Sequence, residues 1–269
     1  MPSSLELGIV TAFFDIGRSN WTTDQNHPAH LARTTDIYFD RFEAMAALDN
    51  ELVVYTSPDL AERVREMRRG KEDRTTIVPY DLTNAFPERR AAIRRIQTDP
   101  AFIAQINPSQ IGNPEYWSVD YILVTNLKTF FTAHAVTKNL LRAPMVAWLD
   151  FGLFRNKDAL QGKTKWEYPF TSDKAHLLSF SPYNNEFSIP QIVAHNIAYI
   201  AGGLIAAPQS LWPQIAELAT GAIQMLNQHH LVDDDQTIML LAYLQKREMF
   251  ELHQIGPNDW ERIMDLLHV

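Results

Sequence analysis

Cysteine is absent from the 269 residues of the chain. Disulfide bonds, thiolate nucleophiles and cysteine-ligated zinc are therefore excluded. Positive charge is also scarce, because 24 lysines and arginines face 32 aspartates and glutamates, which gives a formal net charge of -8. Non-specific binding to nucleic acid depends on a cationic surface, so we expect no nucleic-acid partner. Any phosphate ligand must be held by a few local groups or by a metal ion.

Long apolar segments and several common catalytic motifs are missing as well. No run approaches the ~18 residues that a membrane-spanning helix requires, and residues 1–14 lack the basic start and long apolar stretch of a signal peptide. The sequence contains no P-loop, no G-x-G-x-x-G after a strand, no H-E-x-x-H and no G-x-S-x-G. We therefore expect a cytoplasmic protein that acts on small molecules by another chemistry.

Hydrophobic residues make up 46% of the chain and aromatic residues 11%, which is ample for a large core. Short apolar runs with polar, glycine or proline ends predict strands at 7–14, 52–57, 75–82, 144–152 and 202–208. Helical patterns occur at 34–49, 59–69, 88–97, 116–141, 211–227 and 237–245. This alternation predicts an α/β fold with one mixed, mostly parallel, Rossmann-like sheet flanked by helices. We treat residues 1–269 as a single domain, and we predict a mobile loop in the irregular stretch 155–195.

Acids and cations at strand ends are the first candidates for a site, because parallel sheets bind ligands beyond the carboxyl ends of their strands. Asp150 ends the apolar strand predicted at 144–152. A carboxylate at this edge suits Mg²⁺ or Mn²⁺, which bind carboxylate oxygens and share substrate phosphates. The alternative is a carboxylate that only caps the junction between strand and loop.

Three consecutive acids, Asp233, Asp234 and Asp235, precede a helical run. Acids suit the positive N-terminal end of a helix, which accounts for at least one of them. One cap needs only one carboxylate. The surplus predicts a general base, a metal contact or a contact to substrate hydroxyls, with Asp235 as the first candidate.

Glycines, a histidine and two cations complete the candidate set. Gly202 and Gly203 precede an apolar segment and permit close approach of a ligand, although a tight turn explains them equally well. His253 falls in a predicted C-terminal loop, where it is either a metal or phosphate ligand or a structural histidine. Arg18 and Lys128 are candidate phosphate partners in an acidic chain, with ordinary ion pairing as the alternative.

Two groups of arginines fall within predicted helices. We expect both groups to form solvated helix faces, and contact with anionic lipid or a lipid-linked diphosphate is the alternative. The members are Arg63, Arg65, Arg68 and Arg69 in the first group and Arg89, Arg90, Arg94 and Arg95 in the second.

Strings distributed along almost the whole chain resemble the HtrL/YibB family of bacterial proteins. They are VTAFFDIGR at 10–18, VVYTS at 53–57, VPYDL at 78–82, PEYWSVDYILVTNLKTFF at 114–131, APMVAWLDFG at 143–152, GG at 202–203 and DDDQT at 233–237. That family resembles GT-A glycosyltransferases, so the resemblance implies a GT-A-like fold and the transfer of a sugar. Its members tend to be associated with lipopolysaccharide and capsule genes, which implies a role in bacterial surface-polysaccharide assembly.

The layout is also similar to that of glycogenin-like and lipooligosaccharide galactosyltransferases, and this similarity implies roles for matching residues. Lys128 would contact the diphosphate or the nucleotide, and Asp150 would be the first acid of a D-x-D metal motif. Asp235 and Gln236 would lie on the sugar and acceptor side, and His253 would bind the metal or the diphosphate.

Gly152 stands where the D-x-D motif has its second acid. The departure removes a metal ligand, so a Mn²⁺ or Mg²⁺ cofactor would be weakly bound or dispensable. It also favours an alternative function, that of a catalytically inactive nucleotide-sugar or glycan-binding protein in a polysaccharide assembly complex.

The combined expectation is a cytoplasmic hexosyltransferase that uses a nucleotide sugar, expected to be UDP-linked. The acceptor would be a glycan or a lipid-linked molecule contacted by residues 155–195, which fits peripheral association with the inner face of the inner membrane. Thr11 and Phe13 would line the nucleotide pocket at the end of the first strand. Asp235, or else Asp234, would contact the reacting sugar or deprotonate the acceptor. A nucleotide-sugar hydrolase is a third hypothesis, for which no dedicated water-activating cluster is visible.

Overall fold

The predicted strands pair into one mixed sheet. The computed structural model describes residues 5–22, 27–155, 157–171, 173–257, 259 and 262. Its strands are β1 (Leu5–Phe13), β2 (Leu52–Thr56), β3 (Thr75–Pro79), β4 (Met145–Leu149), β5 (Glu167–Tyr168), β6 (Ala175–Ser179), β7 (Ile200–Pro208) and β8 (Phe250–Gln254). The sheet order is β3-β2-β1-β4-β7-β6-β8, and β5 pairs with β1 beside this path.

One long strand reverses the direction of the sheet. Strands β1, β2, β3, β4, β6 and β8 run parallel, whereas β7 is antiparallel to its neighbours β4 and β6. The short β5 is antiparallel to β1. Leu204, near the start of β7, pairs with Leu149 at the end of β4. The start of β7 therefore lies at the same edge as the carboxyl ends of the parallel strands.

Helices cover both faces of the sheet. They are α1 (Thr35–Ala47), α2 (Ala61–Met67), α3 (Pro87–Gln97), α4 (Pro100–Ile103), α5 (Val119–Asn126), α6 (Lys128–Thr137), α7 (Ile189–His195), α8 (Trp212–Gln228) and α9 (Asp235–Gln245). The first core contains Val10 and Val146 and lies under α3, α5, α6, α8 and α9. The second core contains Ile9 and Ala147 and lies under α1 and α2. Because side chains alternate between the two faces of a strand, the same strands supply both cores, and the predicted α/β fold is confirmed.

Two helices form where the sequence predicts one or two buried helices at 116–141. The Ser118 hydroxyl accepts a hydrogen bond from the Tyr121 amide at 3.2 Å and caps α5. Helix α6 begins at Lys128, directly after Leu127, which is fully buried. This break fixes Lys128 at the first turn of a helix that packs against β1 and β4.

The segment 155–195 is more regular than the sequence predicts. It contains the fully buried strand β6, which lies between β7 and β8, and the helix α7. Strand β8 was predicted as a loop, and it pairs in parallel with β6. Both strands are only five residues long and include polar residues, so they lack the apolar runs that mark the other strands.

The first arginine group is not a uniformly solvated helix face. Arg68 is 1% exposed, and its guanidinium donates to the carbonyls of Ala46, Leu48 and Asn50 and to the Thr75 hydroxyl. It therefore holds the end of α1 against β2 and β3, which a charge pattern alone does not reveal. Across the described ranges, no helix has the combination of length and hydrophobicity that would let it cross a membrane.

Candidate functional site

A cavity of about 290 Å³ opens at the edge of the sheet where β1 and β4 end. Asp150 and Gly152 follow β4 on its rim, and the amide of Asp150 donates to the Gly203 carbonyl at 3.0 Å. Gly202 and Gly203 from β7 and Asp234, Asp235 and Gln236 from the start of α9 also line the cavity. Because β7 runs antiparallel to β4 and α9 begins beside the cavity, candidate site residues that are distant in sequence come together here.

Lys128 lies at the centre of this group. It is 6% exposed, and its ammonium is 2.8 Å from Asp150 Oδ1 and 2.9 Å from Asp235 Oδ2. It also donates to the Gly202 carbonyl at 3.0 Å. Burial alone would lower the pKa of Lys128, but the adjacent carboxylates of Asp150 and Asp235 raise it above its ordinary value. The ammonium therefore stays charged and fixes both acids.

Position 202 must be glycine because of the Asp235 side chain, and not because of a tight turn. A Cβ atom at position 202 would lie 1.6 Å from Asp235 Oδ2 and 2.6 Å from its Cγ. The Asp235 carboxylate thus occupies the space of the missing side chain. Burial raises the pKa of Asp235, although Lys128 opposes the shift. A carboxylate in this state is a stronger base than an exposed one.

The three consecutive acids have three different environments. Asp233 is buried and accepts from the Asp234 amide at 2.9 Å and from the Thr237 hydroxyl at 2.6 Å, and it does not line the cavity. Asp234 is the N-cap of α9 and accepts from the Gln236 amide at 3.0 Å. Its second oxygen accepts from Gln236 Nε2, also at 3.0 Å. Asp233 and Asp234 are therefore used in hydrogen bonds at the start of α9, whereas Asp235 contacts Lys128 and has no part in capping the helix.

Asp150 is the most open of the cavity acids held by Lys128. Its Oδ1 accepts from the Trp148 indole at 2.8 Å, and its side chain is 40% exposed. A Cβ atom at Gly152 would lie 3.0 Å from Tyr38 Cδ1 and 3.2 Å from Tyr38 Cε1. The aromatic ring of Tyr38 therefore leaves little room for the side chain of a second D-x-D acid at this position.

The cavity residues do not form a Mn²⁺ or Mg²⁺ site by themselves. Within the described ranges, no three histidine or carboxylate ligand atoms converge in the cavity. His253, predicted to join Asp150 at the metal, lies on β8 and packs against Phe170 of the second core. Asp150 instead contacts Trp148, which belongs to the first core on the opposite face. The sheet therefore separates His253 from Asp150.

Four arginines line the same cavity and lie close enough for their charges to act on Arg41, and we call them its cationic wall, although only Arg18 was predicted. Arg18 donates to the Tyr38 hydroxyl at 2.6 Å and to the Leu31 carbonyl at 3.1 Å. Arg33, Arg41 and Arg155 line the same wall, and among the described residues no carboxylate forms an ion pair with any of these three. Burial lowers the pKa of Arg41, and the positive charges of Arg33 and Arg155 lower it further. An anion bound here would relieve this repulsion.

Sequence reasoning could not find three of these arginines because no local motif links them. Arg33 precedes α1, Arg41 lies within it, and Arg155 follows β4.

Among the predicted pocket residues, Phe13 lines the cavity and stacks on Phe151 with ring centroids 5.0 Å apart. Thr11 is fully buried two residues before Phe13 in β1, and it does not line the cavity.

Comparison with known proteins gives a family, a curated relative and a solved structure with low similarity. Residues 5–268 match the family described as "Bacterial protein of unknown function (HtrL_YibB)". Protein HtrL of Escherichia coli (strain K12) is 38% identical over 255 residues, which cover 94% of this chain and 89% of HtrL. The crystal structure of mouse Xyloside xylosyltransferase 1 in its apo form is 9% identical, with a TM-score of 0.40 over 93% of this chain and 85% of that one. The match over nearly every residue, together with the identity to HtrL, shows that the chain belongs to the HtrL/YibB family.

Proposed function

We propose that the chain is a glycosyltransferase that moves a hexosyl group from a UDP-sugar to a glycan or lipid-linked acceptor. The observation that carries the proposal is that one cavity is lined both by the cationic wall and by a cluster of acids around Lys128, which we call the acidic wall. A nucleotide sugar has the matching division, because its diphosphate is anionic and its sugar presents hydroxyl groups.

The diphosphate would bind at the wall formed by Arg18, Arg33, Arg41 and Arg155. Guanidinium groups bind phosphate oxygens through paired, charge-assisted hydrogen bonds. Because the whole chain has a net charge of -8, this local concentration of positive charge is a specific feature of the cavity. Lys128, in contrast, would act on the donor indirectly, because its ammonium already binds two carboxylates and a carbonyl.

The sugar would lie on the acidic wall. Asp150 and Asp234 offer carboxylate oxygens, and such oxygens accept hydrogen bonds from neighbouring sugar hydroxyls. The side-chain oxygen of Gln236 is a further acceptor, since it is buried and has no hydrogen-bond partner. The cavity volume of about 290 Å³ is close to the lower end of the range for small-molecule sites, and the cavity is partly open to solvent.

In the transfer step, the bond between sugar C1 and the phosphate oxygen breaks, and a bond between C1 and the acceptor oxygen forms. The departing UDP gains negative charge, which the four arginines would stabilise. The proton of the acceptor hydroxyl would pass to Asp235, because burial raises the pKa of that carboxylate. No step needs a metal ion, which agrees with the loss of the second D-x-D acid at Gly152.

The family resemblance suggests the acceptor and the location. We propose an acceptor from lipopolysaccharide or capsule assembly and a cytoplasmic enzyme at the inner face of the inner membrane. Arg69, Arg94 and Arg95 are exposed and could contact anionic lipid there.

A second function, that of an inactive nucleotide-sugar-binding protein, is favoured by one observation. Lys128 holds both Asp150 and Asp235, so each acid is partly neutralised before a substrate arrives. Such a protein would bind the same donors in the same cavity but would release no UDP.

The test is a thermal-shift and UDP-release panel of UDP-, GDP- and CMP-sugars, each with manganese and with excess chelator. A ligand at ~100 times its dissociation constant stabilises the folded chain by about 2.7 kcal/mol, which gives a clear shift. We expect a UDP-sugar to bind in both conditions and to release UDP when acceptor glycans are added. Binding without UDP release across the acceptors would establish the binding protein instead. Absence of a shift with every nucleotide sugar would overturn both functions.

A further inference from the structure

A second group of ligand-type side chains lies outside the cavity, at the edge of the sheet formed by β6 and β8. It consists of His176 on β6 and Glu251 and His253 on β8. None of the three lines the cavity. The parallel register pairs His176 with Glu251 and Leu178 with His253. Because alternate residues of a strand share a face, all three side chains project from the same face.

The three side chains are close enough to share one ion. Their candidate ligand atoms all lie within 4.8 Å of one another. His176 Nδ1 is 3.0 Å from His253 Nε2, and the Glu251 carboxylate is 3.9 Å from the first and 4.0 Å from the second. Two ligands at about 2.0–2.1 Å from a tetrahedral ion are roughly 3.3 Å apart. The distance between the two nitrogens is slightly below that value, and the two distances to Glu251, which involve Oε2 and Oε1 respectively, are above it.

The residues around the group orient its ligands. His176 Nε2 is 3.0 Å from the Thr171 carbonyl, and only a protonated Nε2 can donate to it, which leaves Nδ1 with its lone pair toward His253. The Thr171 hydroxyl donates to Glu251 Oε2 at 2.9 Å. A backbone carbonyl behind one ligand and a hydroxyl behind another is the usual outer shell of a bound metal in proteins.

The surroundings also separate the group from water on one side and leave it open on the other. The ring of Phe170 lies 4.6 Å from that of His176 and 5.9 Å from that of His253. His176 is 1% exposed, whereas the side chains of His253 and Glu251 are 19% and 42% exposed. No lysine or arginine among the described residues forms an ion pair with Glu251, so its charge is available to a cation.

We propose that His176, Glu251 and His253 form a site for a divalent transition-metal ion, with zinc as the best match. Two imidazoles and one carboxylate favour zinc and its neighbours over magnesium and calcium, which prefer all-oxygen sites. With three protein ligands, the ion would complete its coordination with water on the exposed side. It would join β8 to β6 and to the segment around Thr171. The proposal does not depend on the function of the cavity.

The experiment is calorimetric titration of tag-free, chelator-stripped protein with zinc chloride and, separately, with magnesium chloride. We expect one zinc per chain and no comparable magnesium binding. Glu251→Gln and His253→Gln change the two partly exposed ligands and leave the buried His176 in place, so both variants should fold, and circular dichroism checks this. Each variant should lower zinc affinity by at least about 10- to 100-fold, which is the loss that removal of an outer-shell partner causes.

Two matched variants separate this site from other acids. Glu248→Gln removes an exposed carboxylate three residues before Glu251, and Asp150→Asn removes the open acid of the cavity. Both should leave zinc affinity unchanged. Cobalt substitution gives an independent readout, because His–carboxylate ligation produces visible absorption bands that Glu251→Gln should alter. Absence of zinc binding, binding that neither ligand variant weakens, or binding lost in Asp150→Asn would overturn the proposal.

Discussion

Lys128 has three ammonium protons, and the described structure provides an acceptor for each of them. The acceptors are Asp150, Asp235 and the Gly202 carbonyl. The residue that the family resemblance assigned to the diphosphate or the nucleotide positions two acids in the structure, and its contact with a donor stays a prediction. The sequence predicted that Lys128 is part of the site, but it did not predict the contacts of Lys128. Those contacts could not be predicted because the two acids come from segments more than 80 residues apart.

Substitution of Gly202 tests whether the Asp235 carboxylate is held where the structure has it. Gly202→Ala forces a Cβ atom to within 1.6 Å of Asp235 Oδ2, so the carboxylate must leave Lys128. We expect a loss of about 1–3 kcal/mol in the free energy of unfolding, since a buried charged pair is broken, and loss of UDP release.

Gly221→Ala is the matched control for that change. A Cβ atom there would have nothing within 4 Å, and the residue lies in the middle of α8. Alanine should therefore stabilise the chain by about 0.4–1 kcal/mol and leave turnover unchanged. Urea unfolding of both variants checks the opposite signs. Equal stability of Gly202→Ala and the parent chain would show that Asp235 does not occupy this space.

Asp235→Asn removes the charge that the proposed transfer step uses. The variant keeps its shape and its place in α9, and Lys128 retains Asp150 as a partner. We expect UDP-sugar affinity within a few-fold of the parent and turnover lower by at least about 10², the contribution of general-base catalysis. The neighbouring Asp233→Asn should retain turnover, because Asp233 does not line the cavity. Normal turnover in Asp235→Asn would remove it from the reaction.

At the scale of helices and strands, the cationic wall is assembled by four segments rather than by one motif. Helix α1 contributes Arg41, and the segments after β1, before α1 and after β4 contribute Arg18, Arg33 and Arg155. The strand ends were predictable, because continuous apolar runs mark β1, β2 and β4. Their neighbours in space were not predictable, because side-chain convergence depends on how α1 crosses the sheet.

The wall gives a prediction about nucleotide affinity. Arg41→Gln and Arg155→Gln each remove one charge-assisted hydrogen bond to the diphosphate, which costs about 1.5–3 kcal/mol, or roughly 10- to 100-fold in dissociation constant. Arg69→Gln is the control, because Arg69 is exposed at the end of α2 and does not line the cavity. Calorimetry with UDP measures all three. Unchanged affinity in both wall variants would exclude this wall as the diphosphate site.

Two of the three strands that sequence reasoning missed, β6 and β8, were missed for the same physical reason. Strands β6 and β8 each have five residues and mix histidine or glutamate with leucine. The buried His176 is tolerated in β6 because both of its ring nitrogens have hydrogen-bond partners, the Thr171 carbonyl and the His253 ring. A pattern-based prediction has no access to such partners, and it therefore assigned both segments to loops.

Across the whole molecule, the net charge of -8 conceals an uneven distribution. Positive charge gathers at the cationic wall, and buried acids gather around Asp234. Glu115 is 5% exposed and lies near Asp234, and one of its carboxylate oxygens has no hydrogen-bond partner. Burial and then the charge of Asp234 raise the pKa of Glu115 from its usual 4.5 to about 8.

This shift gives a pH dependence of stability with a definite sign. The folded chain holds the Glu115 proton more tightly than the unfolded chain, so the contribution of Glu115 is full below about pH 4.5 and is lost as the pH rises through 8. Glu115→Gln stays neutral at every pH. Its stability relative to the parent chain should therefore rise between pH 5 and pH 8 by at least about 1.4 kcal/mol, the equivalent of one pKa unit.

Urea unfolding at the two pH values measures the difference. Glu217→Gln, which changes an exposed carboxylate on α8, is the control and should show no such trend. A constant difference between Glu115→Gln and the parent chain would mean that Glu115 is already ionised in the folded state.

The contact between Gly202 and Asp235 has a consequence for the evolution of the family. Two positions 33 residues apart share one volume, so a side chain at 202 and a carboxylate at 235 exclude each other. Related chains should therefore vary at these positions together, with Asp at 235 only where 202 is Gly. A relative that has gained a side chain at 202 should have lost the acid at 235 and, with it, the proposed base. Under this rule, inspection of two letters in an alignment would separate relatives that retain the chemistry from relatives that retain only the fold.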